Sequence, residues 1–217
     1  MNRRPLTLAA TLTAVVVLSL SACSSSDDSS QANDKIAGAK TETAESPSPT
    51  DAPSTAVNRP EIKLPSDVTY RFEWRRTGDP DKDAALSDAE QRIKAVDMAI
   101  AEQDPLHAAY RFYSKGSAAA GTQQFIQDFV DHKARTTGVT RYYNESLTVK
   151  DDGTAALVYC EDQSKVFNKF LETGKTDVTP VTRDSYVIYA STLRKNDNGV
   201  WVTERLESQR GSAKCLP

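Results

Sequence analysis

The spacing of apolar residues changes near Gly138, and this change limits the folds open to the chain. Before Gly138, the apolar residues of a long segment recur at intervals of three and four, which is the period of a helix. After Gly138, they alternate with polar residues, which is the period of a strand. Helices followed by long strands predict an α+β domain in which the helices pack against the sheet.

The helical half contains two start signals of the same type. Asp79-Pro80 and Asp104-Pro105 each place an N-cap residue before a proline at the first helical position. The first signal predicts an amphipathic helix over about 82–103. The second predicts a short helix that ends at Gly116, and a third helix follows over about 119–134. The apolar stripe of the first helix consists of Leu86, Ala89, Ile93, Val96 and Ile100.

Strands are predicted on both sides of the helices. Residues 68–74 alternate strictly, and Trp74 lies in an apolar row that favours core packing over a ligand platform. The turn signals Asp151-Asp152-Gly153 and 196–199 separate later strands. The polar stretch 162–179 predicts a short helix or a lid over the sheet. The later strands are predicted over 139–149, 154–161, 183–194 and 199–208.

This order of elements resembles the nuclear-transport-factor-2-like, or ketosteroid-isomerase-like, cone fold. The resemblance covers about 82–208 and depends on element order, without a motif. The strand at 68–74 lies outside the family's pattern, and the hairpin that some members carry before the third helix is missing. The resemblance implies N-terminal helices packed against a bent antiparallel sheet of about four long strands, with a pocket between them.

The N-terminus has the three parts of an export signal. Arg3 and Arg4 precede an apolar run over 6–20, which is too short to span a bilayer comfortably. The run ends at Leu20-Ser21-Ala22-Cys23, which resembles the lipobox of bacterial lipoproteins. The resemblance, closest to small secreted lipoproteins of actinobacteria, implies that residues 1–22 are removed and that Cys23 carries acyl chains such as palmitate. A plain secretory peptide and an uncleaved anchor helix are the alternatives.

Residues 23–60 form a separate compositional zone rich in Ser, Thr, Asp, Ala and Pro. Such a segment has too few large apolar groups to offset its ordering entropy, so a disordered tether is predicted. A binding tail with its own motif is the alternative. Residues 61–217 have a globular composition and are long enough for a single domain with a core.

The charge of the mature chain excludes some partners. Removal of 1–22, whose charged residues are Arg3 and Arg4, moves the formal charge from −3 to −5. An acidic chain without a Lys/Arg-rich block argues against nucleic acid as a partner. The expected membrane contact is lipid inserted through acylated Cys23. The expected location is extracytoplasmic, at the outer face of the cell membrane.

With Cys23 lipidated, two cysteines remain. Cys160 and Cys215 form an even pair in an oxidising compartment, so a disulfide between them is predicted. Free thiols or a metal pair are the alternatives. No further metal ligands are suggested by spacing, and neither a metal nor a cofactor is expected.

The strands carry the candidate ligand-binding residues, which are acids and tyrosines. Strand parity places Tyr143 and Glu145 on one face, and it places at least one ring of the Tyr142-Tyr143 pair towards solvent or a partner. No catalytic motif is present. A non-catalytic envelope module that binds an envelope protein or a small apolar ligand is favoured, and a cone-fold enzyme acting on a small apolar substrate is the alternative. The candidates are Tyr143, Glu145, Tyr159, Tyr186 and Tyr189.

An apolar cavity with a buried carboxylate near a tyrosine hydroxyl would favour the enzyme. A filled cone with an exposed aromatic patch would favour the partner-binding module.

Overall fold

A computed structural model describes residues 57–217. The predictions for the signal peptide, for Cys23 and for the tether up to residue 56 lie outside the described residues. The described chain contains three helices, six strands and one short 3₁₀ turn. They are β1 (Val68–Phe72), α1 (Pro80–Ala101), α2 (Ala108–Phe112), α3 (Gly116–Asp131), β2 (Ala134–Val149), β3 (Thr154–Phe170), β4 (Thr176–Asp177), the 3₁₀ turn (Arg183–Ser185), β5 (Tyr186–Lys195) and β6 (Trp201–Arg210).

The strands form one sheet in the order β1-β2-β3-β5-β6, with the two-residue β4 paired to the end of β3. The four long strands, β2, β3, β5 and β6, are antiparallel as predicted. β1 runs parallel to β2, so the sheet is mixed and has six strands, whereas the sequence predicted an antiparallel sheet of about four long strands. The α+β, cone-like arrangement of helices against a bent sheet is confirmed.

Irregular pairing accounts for the bend of the sheet. The β2–β3 ladder shifts register between Val139 and Arg141 and again between Tyr143 and Ser146. The β5–β6 ladder shifts between Thr192 and Leu193. Such bulges bend the strand that carries them and increase its local twist. The sheet therefore curves around the helices and leaves a concave face.

The first helix begins where the sequence predicts it. The Asp79 side chain accepts hydrogen bonds from the backbone N–H groups of Asp81 and Lys82, and Pro80 opens α1. One face of α1 packs on the sheet. Trp74 belongs to this core, so core packing rather than a ligand platform is its role. The buried core on this side comprises Trp74, Ala85, Leu86, Ala89, Ile93, Tyr142, Ala155, Leu157, Tyr159, Leu193 and Trp201.

The boundary between the second and third helices differs from the prediction. Gly116 was expected to end α2, but it is the first residue of α3. α2 ends at Phe112 because the chain after it bonds to the sheet: the backbone N–H of Lys115 donates to the Thr203 carbonyl oxygen, at 2.9 Å. The glycine therefore marks the start of a helix after a short strand-like link.

The prediction of a helix or lid at 162–179 was wrong for its first half. β3 continues to Phe170 and pairs with the early part of β2, from Ala134 onward. Gly138, predicted to lie between helices and sheet, is inside β2 with φ +106°. A Cβ there would lie 2.0 Å from the Lys165 carbonyl oxygen, so glycine permits this close strand contact.

The predicted disulfide is confirmed. Cys160 of β3 is bonded to Cys215 of the C-terminal tail, with their Cα atoms 5.5 Å apart. The Tyr143 hydroxyl donates to the Cys215 carbonyl oxygen, which holds the tail on the convex side of the sheet. The tail buries Tyr143, whereas Tyr142 is buried on the opposite side of the sheet, in the core against α1. The expectation of an exposed ring was therefore wrong.

Ion pairs fix the segment before α1. The carboxylate of Asp88, which is fully buried in α1, binds the Arg59 guanidinium and accepts from the backbone N–H of Trp201 at 2.8 Å. Asp67, just before β1, accepts from both terminal nitrogens of Arg135, at 2.8 and 2.9 Å. These contacts hold β1 in its parallel position at the edge of the sheet.

Candidate functional site

A cavity of about 440 Å³ lies between α1, α3 and the concave face of the sheet. Its floor is formed by buried side chains, which include Thr122, Tyr142, Tyr159 and Val187. Exposed residues line its rim and show that it opens to solvent: Ser117, Gly121, Phe125, Ser208 and Arg210. The volume lies in the range of small-molecule sites in proteins.

Glu161 of β3 places a carboxylate in the wall of this cavity. The residue is 8% exposed. The Tyr142 hydroxyl donates to its Oε1 at 3.0 Å, and Gln163 Nε2 donates to its Oε2 at 2.9 Å. Burial raises the pKa of Glu161 above its usual value, although these hydrogen bonds oppose the rise. Burial, together with the nearby Glu161 charge, also raises the pKa of Tyr189.

Asp97 of α1 is a second carboxylate in the same wall. The Tyr70 hydroxyl donates to Asp97 Oδ2 at 2.5 Å, and the Thr136 hydroxyl donates to Oδ1 at 2.8 Å. Burial raises the pKa of Asp97, and no ion pair with a described residue offsets this effect. The negative charge of Asp97 contributes to the raised pKa of Glu161. The two acids therefore disfavour each other's ionisation.

Arg92 of α1 brings a cation to the same cavity. Its Nε donates to the Ser114 hydroxyl at 2.9 Å, and its Nη2 donates to the Thr122 hydroxyl at 2.7 Å. The residue is 5% exposed. The cavity thus combines a few convergent polar groups with aromatic walls, which is the usual make-up of a small-molecule site.

These groups can bind a ligand or exchange a proton with it. A carboxylic acid with a raised pKa donates a hydrogen bond while it is protonated and accepts a proton once it is ionised. Tyr142 keeps its hydroxyl protonated because burial raises its pKa well above the usual value. The cavity therefore offers donors and acceptors side by side.

The structure places the five candidate residues in three different surroundings. Tyr159 and Tyr189 line the cavity, and their rings stack with centroids 5.2 Å apart. Tyr143 and Tyr186 pack beside the disulfide, on the opposite side of the sheet. Glu145 lies outside the cavity lining, where its Oε1 accepts from the backbone N–H of Arg75 at 2.7 Å.

The parity argument for Tyr143 and Glu145 was wrong, because strand alternation does not hold across a bulge. Asn144, between them, has φ +53°, and the β2–β3 register shifts at this point. Tyr142 and Leu147 differ in parity and yet pack against the same core. Glu145 therefore does not share the side occupied by Tyr143.

Sequence reasoning did not single out Arg92 and Asp97 as site residues. Both flank the apolar stripe of α1, for which the sequence predicts only an amphipathic helix. The available signal was their spacing: Arg92 lies three residues after Ala89, and Asp97 lies four residues after Ile93, so both border the buried side of α1.

Glu161→Gln is expected to become more stable relative to the wild type as pH rises. The pKa of Glu161 in the native state is raised above its value in the unfolded chain. Between these two pKa values, the native wild type therefore binds more protons than the unfolded wild type. Wild-type stability therefore falls as pH rises through that interval. Each unit of pKa is worth about 1.4 kcal/mol.

Urea unfolding at mildly acidic and mildly alkaline pH measures this difference. Glu207→Gln, at an exposed position of β6, is the matched control and should show no such trend. A stability difference between Glu161→Gln and the wild type that is the same at both pH values contradicts the prediction.

Neither a membrane-spanning helix nor a metal-binding cluster is found in the described part of the chain. No helix among residues 57–217 is long and apolar enough to cross a membrane. Within the same range, no group of three or more His, Cys, Asp or Glu side chains is arranged to hold a metal ion.

No protein-family model and no curated protein matches the chain. Its structure is similar to solved structures of low sequence identity. Aln2 from a Streptomyces species is 13% identical with a TM-score of 0.42, over 68% of this chain and 94% of that chain. A ketosteroid isomerase-like protein from Erwinia carotovora atroseptica is 12% identical with a TM-score of 0.40, over 62% and 98%.

A hexachlorocyclohexane dehydrochlorinase, LinA-type3 from Novosphingobium barchaimii, is 10% identical, with a TM-score of 0.40. The match covers 60% of this chain and 88% of that one.

Proposed function

We propose that the protein is an extracytoplasmic binding module, lipid-anchored through Cys23 to the outer face of the cell membrane, whose cavity holds a small ligand. The observation that carries the binding function is the open cavity of about 440 Å³ into which Glu161 and Asp97 converge. A structural role alone does not require two carboxylates without an ion pair in one cavity wall, because burying such groups is unfavourable.

The sequence of the N-terminus supports the anchor. Leu20-Ser21-Ala22-Cys23 follows two arginines and an apolar run, and a polar segment up to residue 60 follows it. Acyl chains on Cys23 would hold the module at the membrane without a spanning helix, since each buried CH₂ contributes about 0.8 kcal/mol. The polar segment would then act as the tether between the lipid and the domain.

The shape of the cone supports a small ligand over an envelope protein as the bound species. A filled cone with an exposed aromatic patch would have favoured a protein partner, but the cone is hollow. The rings of Tyr142, Tyr159 and Tyr189 supply apolar wall inside it. A ligand with an apolar body fits this lining.

Gly121→Phe is expected to remove a ligand retained by the purified protein. Gly121 lines the cavity rim on α3, and a Cβ at this position meets no atom within 4 Å, so a larger side chain can extend into open space. We expect at least about a tenfold loss of retained small molecule, because the ring competes for the ligand's volume. Mass spectrometry of extracts from protein purified out of its own membrane measures the amount.

Ala120→Phe is the matched control. Ala120 is the preceding residue of the same helix, is exposed and does not line the cavity. This variant should retain the ligand at the wild-type level. Equal retention by the Gly121→Phe and Ala120→Phe variants would contradict binding in the cavity.

A second candidate function is general acid–base catalysis on a small apolar substrate. It is favoured by the arrangement named above as favouring an enzyme, a buried carboxylate near a tyrosine hydroxyl in a cavity. The hydrogen bond from Tyr142 to Glu161 places a proton donor beside a potential proton acceptor. Ligand conversion that the wild type performs and Glu161→Gln does not, at matched occupancy, would establish it. Unchanged ligand recovered after prolonged incubation with the wild type would leave binding as the function.

A further inference from the structure

Arg92 is a charged side chain enclosed in the cavity wall without a counter-ion. It is 5% exposed and makes no ion pair with any residue of the described segment 57–217. Its hydrogen bonds in that segment go to two neutral hydroxyls, those of Ser114 and Thr122. A guanidinium has five N–H donors, so these two contacts leave most of its donors available.

The surroundings of Arg92 do not compensate its charge. The carboxylate one helical turn before Arg92 in α1, that of Asp88, is bound to Arg59 and to the Trp201 backbone. Asp97 and Glu161 accept hydrogen bonds from hydroxyl and amide groups instead of from Arg92. A buried charge without a partner is unfavourable, and the neighbours Ala89 and Ile93 belong to an apolar core in which an apolar residue would pack.

We propose that Arg92 binds the anionic group of the ligand, and that the ligand is a small monocarboxylate with an apolar ring or chain. This inference rests on the proposed function that the cavity holds a small molecule. The planar guanidinium presents paired N–H groups that match the two oxygens of a carboxylate. An anion bound there would supply the missing counter-charge.

The charge of the cavity favours a carboxylate over a phosphate group. Arg92 is a single cation, and the same wall carries Asp97 and Glu161, which disfavour a doubly charged group. Arg210 lies at the exposed rim, where solvent screens its charge, and its Nη1 donates to Gln163 Oε1 at 2.7 Å and to the Asp184 carbonyl oxygen at 3.0 Å. One negative charge therefore matches the site better than two.

The body of the ligand would contact aromatic rings. Tyr159 and Tyr189 stack on each other in the cavity, and Tyr142 packs edge-on against Tyr159 with centroids 6.0 Å apart. These rings offer apolar faces, and the acids beside them offer hydrogen bonds to a polar substituent. The site thus has an anion end at Arg92 and an apolar wall of tyrosines.

Calorimetric titration of the delipidated protein with paired probes tests this inference. The probes are benzoate, phenylacetate and cyclohexanecarboxylate, each with its uncharged primary amide, together with phenyl phosphate. At least one acid should bind about tenfold or more tightly than its own amide. Arg92→Gln should remove this preference, while Arg205→Gln, at an exposed position of β6, should keep it.

The outcomes separate this inference from the proposed function. Amides that bind as tightly as their acids would leave a ligand-binding cavity but overturn the role of Arg92. Absence of binding by acids and amides would overturn both, and tighter binding of phenyl phosphate than of benzoate would overturn the carboxylate assignment. If Arg92→Gln does not fold, the Nε–H resonance of Arg92 in the wild type should shift on titration with the bound acid, and an unmoved resonance would contradict the contact.

Discussion

Replacement of Cys23 by alanine is expected to abolish lipid attachment in an actinobacterial host. Under the proposed function, Cys23 is the acylation site and the first residue of the mature chain. Without its thiol no acyl chain can be attached, and a chain anchored only by lipid loses the burial energy of every acyl CH₂, about 0.8 kcal/mol each. Labelling with an alkyne analogue of palmitate, followed by purification and gel detection, measures the attachment.

Ser24→Ala, at the next residue, is the matched control and should be labelled like the wild type. The variant Cys23→Ala should be unlabelled and should retain residues before position 23. Equal labelling of Cys23→Ala and the wild type would contradict acylation at this residue, as would a wild type that carries no label.

Loss of the Cys160–Cys215 disulfide is expected to lower the free energy of unfolding by about 4 kcal/mol. The bond joins residues 55 positions apart, and a cross-link of that span restricts the unfolded chain by about this amount in the chain-entropy model. It also holds the tail that covers Tyr143. Urea unfolding of the double variant Cys160→Ala/Cys215→Ala measures the loss.

The wild type unfolded in the presence of a reductant should approach the stability of the double variant. The oxidised and reduced forms of the same wild-type chain serve as the matched pair in this comparison. A loss below about 1 kcal/mol would show that the bond contributes little beyond the packing of Cys215.

The elements with strong local signals could be predicted from the sequence. The Asp79 cap and Pro80 set the start of α1, and the turn signal at 196–199 indicated the two long strands on either side of it. These signals depend on neighbours within a few residues, so the rest of the fold does not alter them. The disulfide was predictable because counting cysteines needs no geometry.

The elements that were predicted wrongly depend on contacts between residues that lie far apart in the sequence. Residues 162–170 are polar, but they form a strand because β2 supplies backbone partners from Ala134 onward. Gly138 is a typical breaker by composition, but here it permits a close approach to Lys165. The bulge at Asn144 reverses strand parity, and no alternation pattern shows in advance where such a reversal occurs.

The site was only half predictable for a similar reason. Tyr159 and Tyr189 were found because tyrosines on long strands stand out in a sequence. Arg92 and Asp97 were not, since a charged residue beside an apolar helical stripe usually faces solvent. Their role depends on the curvature of the sheet, which encloses that side of α1. Both side chains therefore line the cavity.

Native mass spectrometry of the protein, extracted from its own membrane without reductant, tests the central claim most directly. The expected species is a chain that begins at Cys23, carries acyl groups, lacks the two thiol hydrogens of Cys160 and Cys215, and retains a small molecule released on mild activation. A chain with an unmodified Cys23 and an empty cavity, seen under conditions that preserve a known protein–ligand complex, would contradict it.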